Sequence, residues 1–265
     1  ISTSSTGSQK NLYKFAINDS LKNNEHYKFK NNEINTKKYN VFTFLPKALF
    51  YQFKRPANVY FLIIAILQSI PVISPLGAET AWIPICIVLA VSLIREAVED
   101  CNRAKLDREQ NNEPTDVFSN NQWIKTTSGK LNMGELVLVY NESTFPADLI
   151  LIDSNLQDGV CFTETATLDG EKTLKSKKSP DGTAGKFNCR GNPCEKIIVS
   201  GEVIADEPNP ELYRLNGRMN IKFQTEVTRE IEELIPLDEK QLLLKGAKLK
   251  NTEWIIGIVV YTGHN

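Results

Sequence analysis

The 265-residue sequence predicts a multi-part α+β chain: a transmembrane helical hairpin, a helical stalk that prolongs it, and a cytosolic, mainly-β domain of distorted jelly-roll type. Three observations predict it. Two apolar segments, roughly 57–73 and 81–98, flank the short connector "SPLGAET". The second runs on into a densely charged stretch of helical composition. Beyond Pro114 the pattern changes to short β-type runs divided by turn residues. The parts are therefore 1–40, 41–98, 99–114 and 115–265.

Residues 1–40 are polar and rich in Lys and Asn, unlike a secretory signal, and are expected to be mobile. Residues 41–98 hold a cytosolic lead-in and the hairpin. Each apolar segment is near the ~20 residues that a helix needs to cross a hydrocarbon core of ~30 Å. No Lys or Arg lies between Asn58 and Ile94. A buried hairpin in a water-soluble protein is the competing reading, because Asn58, Gln68, Ser69 and three prolines dilute the apolar character. Ten Lys/Arg fall in residues 1–56, and basic residues return at Arg95, Arg103, Lys105 and Arg108. By the positive-inside rule both ends are cytosolic and the connector faces the other side. Gln68, Ser69, Pro71 and Ser74 sit near that far end, where polar side chains are costly unless paired or wetted. They are candidates for a substrate path, or for hydrogen bonds between helices.

In the stalk, Arg95/Glu99, Glu99/Arg103 and Lys105/Glu109 fall at i,i+4, each pair supporting a helix by about 0.2–0.5 kcal/mol. Such a stalk is a lever or a spacer. The β domain reads as strands at 122–128, 135–140, 147–153, 159–165, 195–205, 241–250 and 253–263, with a hairpin over 212–223 turning at Asn216-Gly217. The acidic stretch 224–240 is expected to be a loop with a short helix.

Composition narrows the function. Lys+Arg number 31 against 32 Asp+Glu, so the near-zero net charge argues against nucleic acid as a partner. Five scattered cysteines suggest a reducing compartment rather than a disulfide framework. With two histidines no Cys/His metal cluster is expected, and "CRGNPC" (189–194) reads as a loop with two thiols. The stretch "TLDGEKTLKSKK" (167–178) poses the sharper question. Asp169-Gly170 is a strong turn signal, and Glu171 beside it is either part of a solvated tip or an acid held out for chemistry done elsewhere.

The residues that decide between these are spread along the chain. "YNVFTFLPKALFYQFKRPANVYFL" (39–62), "QSIPVISPLG" (68–77), "REAVEDCNRAKLDREQNN" (95–112), "FPADLILIDS" (145–154), "CFTETATLDGEKTLK" (161–175), "PNPELYRLNG" (208–217) and "QLLLKGAKLKNTEWIIGIVVYTGHN" (241–265) resemble segments of the class IV P-type ATPases, the phospholipid flippases. The resemblance covers about residues 30–265 and is to the family's amino-terminal part: two membrane helices and an actuator domain that leads to a third.

The resemblance implies an ATP- and magnesium-dependent pump that moves phospholipid toward the cytosolic leaflet. An aspartate in a separate domain is phosphorylated, and the actuator loop dephosphorylates it. Glu171 matches the glutamate that activates the hydrolytic water, while Asp169 and Gly170 shape the tip. Implied partners are the phospholipid and its membrane, the phosphorylation and nucleotide-binding domains of the same protein, and a glycosylated two-span β-subunit. The family's D-G-E-T-N-L-K reads D-G-E-K-T-L-K here, with Lys172 for Thr and Thr173 for Asn, and Val72 replaces a polar residue of the membrane turn. Lys172 would neutralise Glu171, clash with the docking domain, or contact the phosphate. No D-K-T-G-T sequence is present, so this stretch alone is expected to bind neither ATP nor magnesium and to be inactive. Two other readings stand beside the flippase: a catalytically degenerate regulatory or scaffold module, motivated by Lys172 and Thr173, and a cation pump, opposed by the Q-x-x-P…S-P-x-G match and by the lack of acidic residues in the apolar core of both spans.

Overall fold

The computed structural model describes residues 12–19, 23, 31–70, 79–119, 121–189, 192–193, 197–208, 211, 213–225 and 231–263. The chain divides into a helical unit, residues 35–109, and a sheet-rich unit, residues 1–34 with 110–265.

The helical unit holds α1 (Val41–Phe53), α2 (Pro56–Gln68) and most of α3 (Glu79–Asn111). The Asn40 amide donates to Thr43 Oγ1 at 3.1 Å, tying the start of α1. Pro56 opens α2 at a position where its missing N–H costs nothing. Asn58, itself buried, donates to the Gln52 carbonyl at 2.8 Å and so satisfies an orphan acceptor at the end of α1. Ser69 closes α2 by donating to the Ala65 carbonyl at 2.7 Å.

Among the described residues no helix is long and apolar enough to cross a membrane. Of the first apolar segment, expected over 57–73, the described residues are helical over Pro56–Gln68, 13 residues. At 1.5 Å per residue that is roughly 20 Å. Pro71, Val72 and Ser74 lie outside the described residues. The second segment and the stalk form one continuous helix of 33 residues, which stops at Asn111 rather than at Pro114.

The charged half of α3 does more than face water. Asp107 Oδ2 accepts the Thr36 amide at 2.8 Å and Asp107 Oδ1 the Thr36 hydroxyl at 2.7 Å. Asp100 accepts the Lys38 amide at 3.0 Å, and Glu96 accepts the Tyr39 hydroxyl. Residues 96, 100 and 107 recur at helical spacing, so one face of α3 supplies the acceptors that the extended segment before α1 lacks. Burial against this face and the Glu96 carboxylate push the Tyr39 phenol up to about 12. Arg95–Glu99 and Lys105–Glu109 pair as expected, at 2.9 and 3.9 Å, while Arg103 turns to Asp100 at 2.9 Å.

The sheet-rich unit begins earlier than expected. Residues Leu12–Ala16, placed in a mobile opening by composition, form strand β1. The other strands are β2 (Pro114–Ser119), β3 (Gln122–Thr127), β4 (Leu136–Tyr140), β5 (Asp148–Ser154), β6 (Val160–Glu164), β7 (Lys175–Lys178), β8 (Asn188–Cys189), β9 (Asn192–Pro193), β10 (Ile197–Asp206), β11 (Gly217–Thr225), β12 (Ile231–Leu237), β13 (Leu242–Leu243), β14 (Lys248–Lys250) and β15 (Trp254–Tyr261). A short helix, α4 (Ala166–Asp169), stands between β6 and β7. Most of "CRGNPC" lies outside the described residues.

Among the described residues all strand pairings are antiparallel. One sheet has the order β1-β10-β11-β12, a second β13-β5-β15-β4-β2-β3, and a third β14-β6-β7. The six-stranded sheet is apolar on both faces. Leu136, Leu138, Ile150, Ile152, Ile256 and Ile258 face the core shared with the four-stranded sheet, where Val203, Met219, Ile221 and Phe223 are buried. Their neighbours Val137, Val139, Leu149, Leu151, Ile255 and Val259 face a second core with Cys161 and Leu249 of the three-stranded sheet. Successive strand residues point to opposite faces, so a strand buried on both reads as a continuous apolar run.

Two expectations fail. β11 starts at Gly217, pairing with Ala205, so residues 207–216 form a long connection and Asn216-Gly217 is not a two-residue hairpin. The acidic stretch read as a loop contains β12, whose Ile235 and Leu237 are buried while Lys222 and Lys186 pair Glu232 and Glu233 at 2.8 Å each.

Candidate functional site

The loop carrying Asp169, Gly170 and Glu171 is an excursion between two paired strands. Thr163 of β6 lies opposite Lys175 of β7 and Glu164 still pairs with Lys248 of β14, so residues 165–174 leave the sheet and return to it. The chain does not make the tight Asp-Gly hairpin. It winds into α4, with the Leu168 and Asp169 amides donating to the Thr165 carbonyl at 2.9 and 3.1 Å and Gly170 N–H donating to Ala166 at 3.1 Å. Gly170 then ends the turn at φ 78°, the left-handed region that L-residues with a Cβ resist. A Cβ there would meet no atom within 4 Å, so the backbone alone requires glycine. Gly170→Ala should cost about 1–2 kcal/mol of loop order. Amide exchange of Glu171 should show it as faster opening, with the strand amides of β5 and β15 unchanged.

Asp169 is the hub. Its carboxylate accepts the Thr165 hydroxyl at 3.0 Å and the Glu171 amide at 2.9 Å. Lys175 Nζ donates to it at 2.5 Å, and the Tyr213 hydroxyl also donates to it. Lys175 Nζ further donates to Tyr213 Oη at 3.0 Å and stands 4.4 Å from the centre of the Tyr213 ring. Lys175 first, then Tyr213 and the Glu171 amide, hold the Asp169 carboxyl well below the usual carboxylate range. Asp169 in turn raises Lys175 above its usual value. The pair is charged throughout any working pH, and Asp169 would lose this stabilisation only as pH falls below its ordinary value of 3.8.

Glu171 is different. Its side chain is 61% exposed, and among the described residues its one ion pair is with Lys175 at 3.1 Å. Lys172 and Thr173 are exposed beside it, and Leu168 and Leu174, at 37% and 39%, rim the tip. Thr167 anchors the outer side by donating to the Gly246 carbonyl at 2.9 Å. An immobilised acid, Asp169, thus carries a neighbour whose carboxylate faces solvent. A group built this way can take a proton from water only for a partner that docks onto the tip.

Gln68 and Ser69 belong to the helical unit, at the end of α2. Ser69 accepts the Trp82 indole N–H at 2.9 Å, so its hydroxyl is engaged between two helices. Among the described residues no group of three His, Cys, Asp or Glu is arranged to hold a metal ion. Asp169 is already committed to Lys175 and Tyr213, so the loop does not fit a magnesium site. Sequence reasoning missed Tyr213 and Lys175. Lys175 is four residues from Glu171, but Tyr213 comes from a connection far along the chain.

A family described as phospholipid-translocating ATPase, N-terminal, matches residues 15–82. A phospholipid-transporting ATPase of Schizosaccharomyces pombe is 42% identical over 236 residues, 89% of this chain and 18% of that protein. The phospholipid-transporting ATPase DRS2 of Saccharomyces cerevisiae is 37% identical over 94% of this chain and 17% of its own length. The phospholipid-transporting ATPase tat-1 of Caenorhabditis elegans is 38% identical over 90% and 20%. The chain spans about a fifth of the length of the curated relatives it matches. Over nearly all of its residues, then, this chain belongs to the class IV P-type ATPases and corresponds to their amino-terminal part.

Proposed function

We propose that the chain is the membrane-anchoring and actuator region of an ATP-driven pump that moves phospholipid toward the cytosolic leaflet. The observation that carries this reading is an exposed Glu171 on a loop whose preceding acid is tied down by Lys175 and Tyr213, in a chain related to phospholipid-transporting ATPases. In this reading Glu171 takes a proton from water as the water oxygen attacks the phosphorus of an aspartyl phosphate. The phosphorus–oxygen bond to the aspartate breaks, and phosphate leaves carrying the new oxygen. ATP with magnesium, bound in another domain, supplies the phosphoryl group. The apolar segments 57–73 and 81–98 form the membrane hairpin, with the amino terminus and the sheet-rich unit cytosolic, as the basic residues on either side favour. Gln68, Ser69, Pro71 and Ser74 line the lipid path at its non-cytosolic end, and a two-span β-subunit is a further partner.

Lys172 favours a second reading, a regulatory module that has lost hydrolysis, because it places a cation next to the acid that must meet a phosphate. The intact polypeptide that contains this chain, purified and reconstituted with phospholipid, separates the two. Lipid-stimulated ATP hydrolysis through an acid-stable phosphoenzyme is the expected result. A protein that binds lipid but neither forms nor turns over that intermediate is the scaffold instead.

A further inference from the structure

We infer that Tyr213 and Lys175 are positioning residues that act through Asp169 to fix the backbone, and hence the reach, of Glu171. The inference rests on the hydrolytic role proposed for Glu171 and adds the machinery that aims it. Four contacts carry it. The Tyr213 hydroxyl and Lys175 Nζ both donate to Asp169 Oδ2. The other oxygen, Oδ1, accepts the Glu171 amide at 2.9 Å. Lys175 Nζ also reaches Glu171 Oε2 at 3.1 Å.

The arrangement divides labour between the two acids. The Asp169 side chain is 19% exposed and held by four donors, whereas that of Glu171 is 61% exposed and, among the described residues, held by one. Lys175 can therefore release Glu171 without releasing Asp169. The Tyr213 ring supports the cation from below at 4.4 Å, and Lys177 Nζ approaches the same ring at 5.8 Å. Tyr213 lies on the connection between β10 and β11, so a residue of the four-stranded sheet's connection sets the tip of a loop in the three-stranded sheet. The connection thereby acquires a purpose that a short hairpin at Asn216-Gly217 could not serve.

Tyr213→Phe tests this, because it keeps the ring beneath Lys175 and removes the hydroxyl, which donates to Asp169 and accepts from Lys175. In the intact polypeptide the Glu171 amide should exchange about tenfold faster, the scale of one charge-assisted hydrogen bond. Dephosphorylation of the phosphoenzyme should slow by a similar factor, with phosphorylation by ATP unchanged. Lys175→Gln should act in the same direction. The double variant Asp169→Asn with Tyr213→Phe should be slower than Asp169→Asn alone by much less than the Tyr213→Phe factor, since Tyr213 works through Asp169 and only secondarily through its 3.0 Å contact with Lys175. Unchanged Glu171 exchange in Tyr213→Phe, or full additivity in the double variant, overturns the inference. Glu171→Gln in the same assay separates it from the reading beneath. If that variant dephosphorylates normally, the hydrolytic role falls, while amide exchange still decides whether Tyr213 positions the loop.

Discussion

Glu171→Gln in the intact polypeptide should accumulate phosphoenzyme, with dephosphorylation slowed by roughly 10²–10⁴-fold, the range a positioned general base supplies. The amide keeps the size of the side chain and removes the proton acceptor. The fold should not notice. The Glu171 side chain is 61% exposed and its only ion pair among the described residues is the one with Lys175 at 3.1 Å, so unfolding free energy should stay within about 0.5 kcal/mol. Asp169 keeps its contacts with Thr165, Lys175 and Tyr213, and the Glu171 amide keeps its bond to Asp169 Oδ1 in the variant. A defect in turnover with a normal unfolding curve therefore isolates chemistry from architecture. The measurement is decay of acid-stable phosphoenzyme after a chase of unlabelled ATP. Decay within twofold of the parent protein would remove Glu171 from the reaction.

How far the sequence could be read depended on where each element finds its partners. β5 and β15 were legible because both faces are apolar, and Leu149 to Ile152 or Ile255 to Ile258 announce a central strand locally. β12 was not. Glu232 and Glu233 make "EIEELIPL" look solvated, yet their charges are answered by Lys222 on β11 and by Lys186. β1 failed for the same reason. "LYKFA" sits among polar residues, and what holds it is pairing with β10, together with buried Asn23, which accepts the Ala16 amide and donates to the Ala16 and Met133 carbonyls. At the loop, Glu171 and Asp169 were found by their motif, but their different roles were not. The tie to Tyr213 spans 44 residues and no periodicity encodes it. The short helix α4 has four residues, too few to show a helical period.

Asp153 sets the second large expectation, one of stability. It is fully buried at the end of β5 and accepts three backbone amides at 2.8 Å each, from Ser154, Gly185 and Phe187. Those bonds pin residues 180–187 to the six-stranded sheet, helped by the Thr183 hydroxyl donating to the Ile152 carbonyl at 2.6 Å. Phe187 is thereby set in the core, its ring centre 5.0 Å from that of Phe223. Asp153→Ala leaves the Gly185 and Phe187 amides without their acceptor and loosens a core aromatic. Unfolding in urea at neutral pH should require roughly 2–3 kcal/mol less free energy. Burial outweighs the three amides and pushes the Asp153 carboxyl up to about 6 from its ordinary 3.8. The sign follows: the folded chain holds this proton more tightly than the unfolded one. The contribution is complete below pH 3.8 and is lost as pH rises through about 6, a change of about 3 kcal/mol at 1.36 kcal/mol per unit. Other carboxylates titrate in the same range, so the quantity to measure is the parent curve minus that of Asp153→Asn, which cannot titrate. That difference should fall with rising pH across this window and level off above it. A flat or rising difference would mean that the amides win over burial, and that Asp153 is an ordinary carboxylate despite its place beneath the sheet.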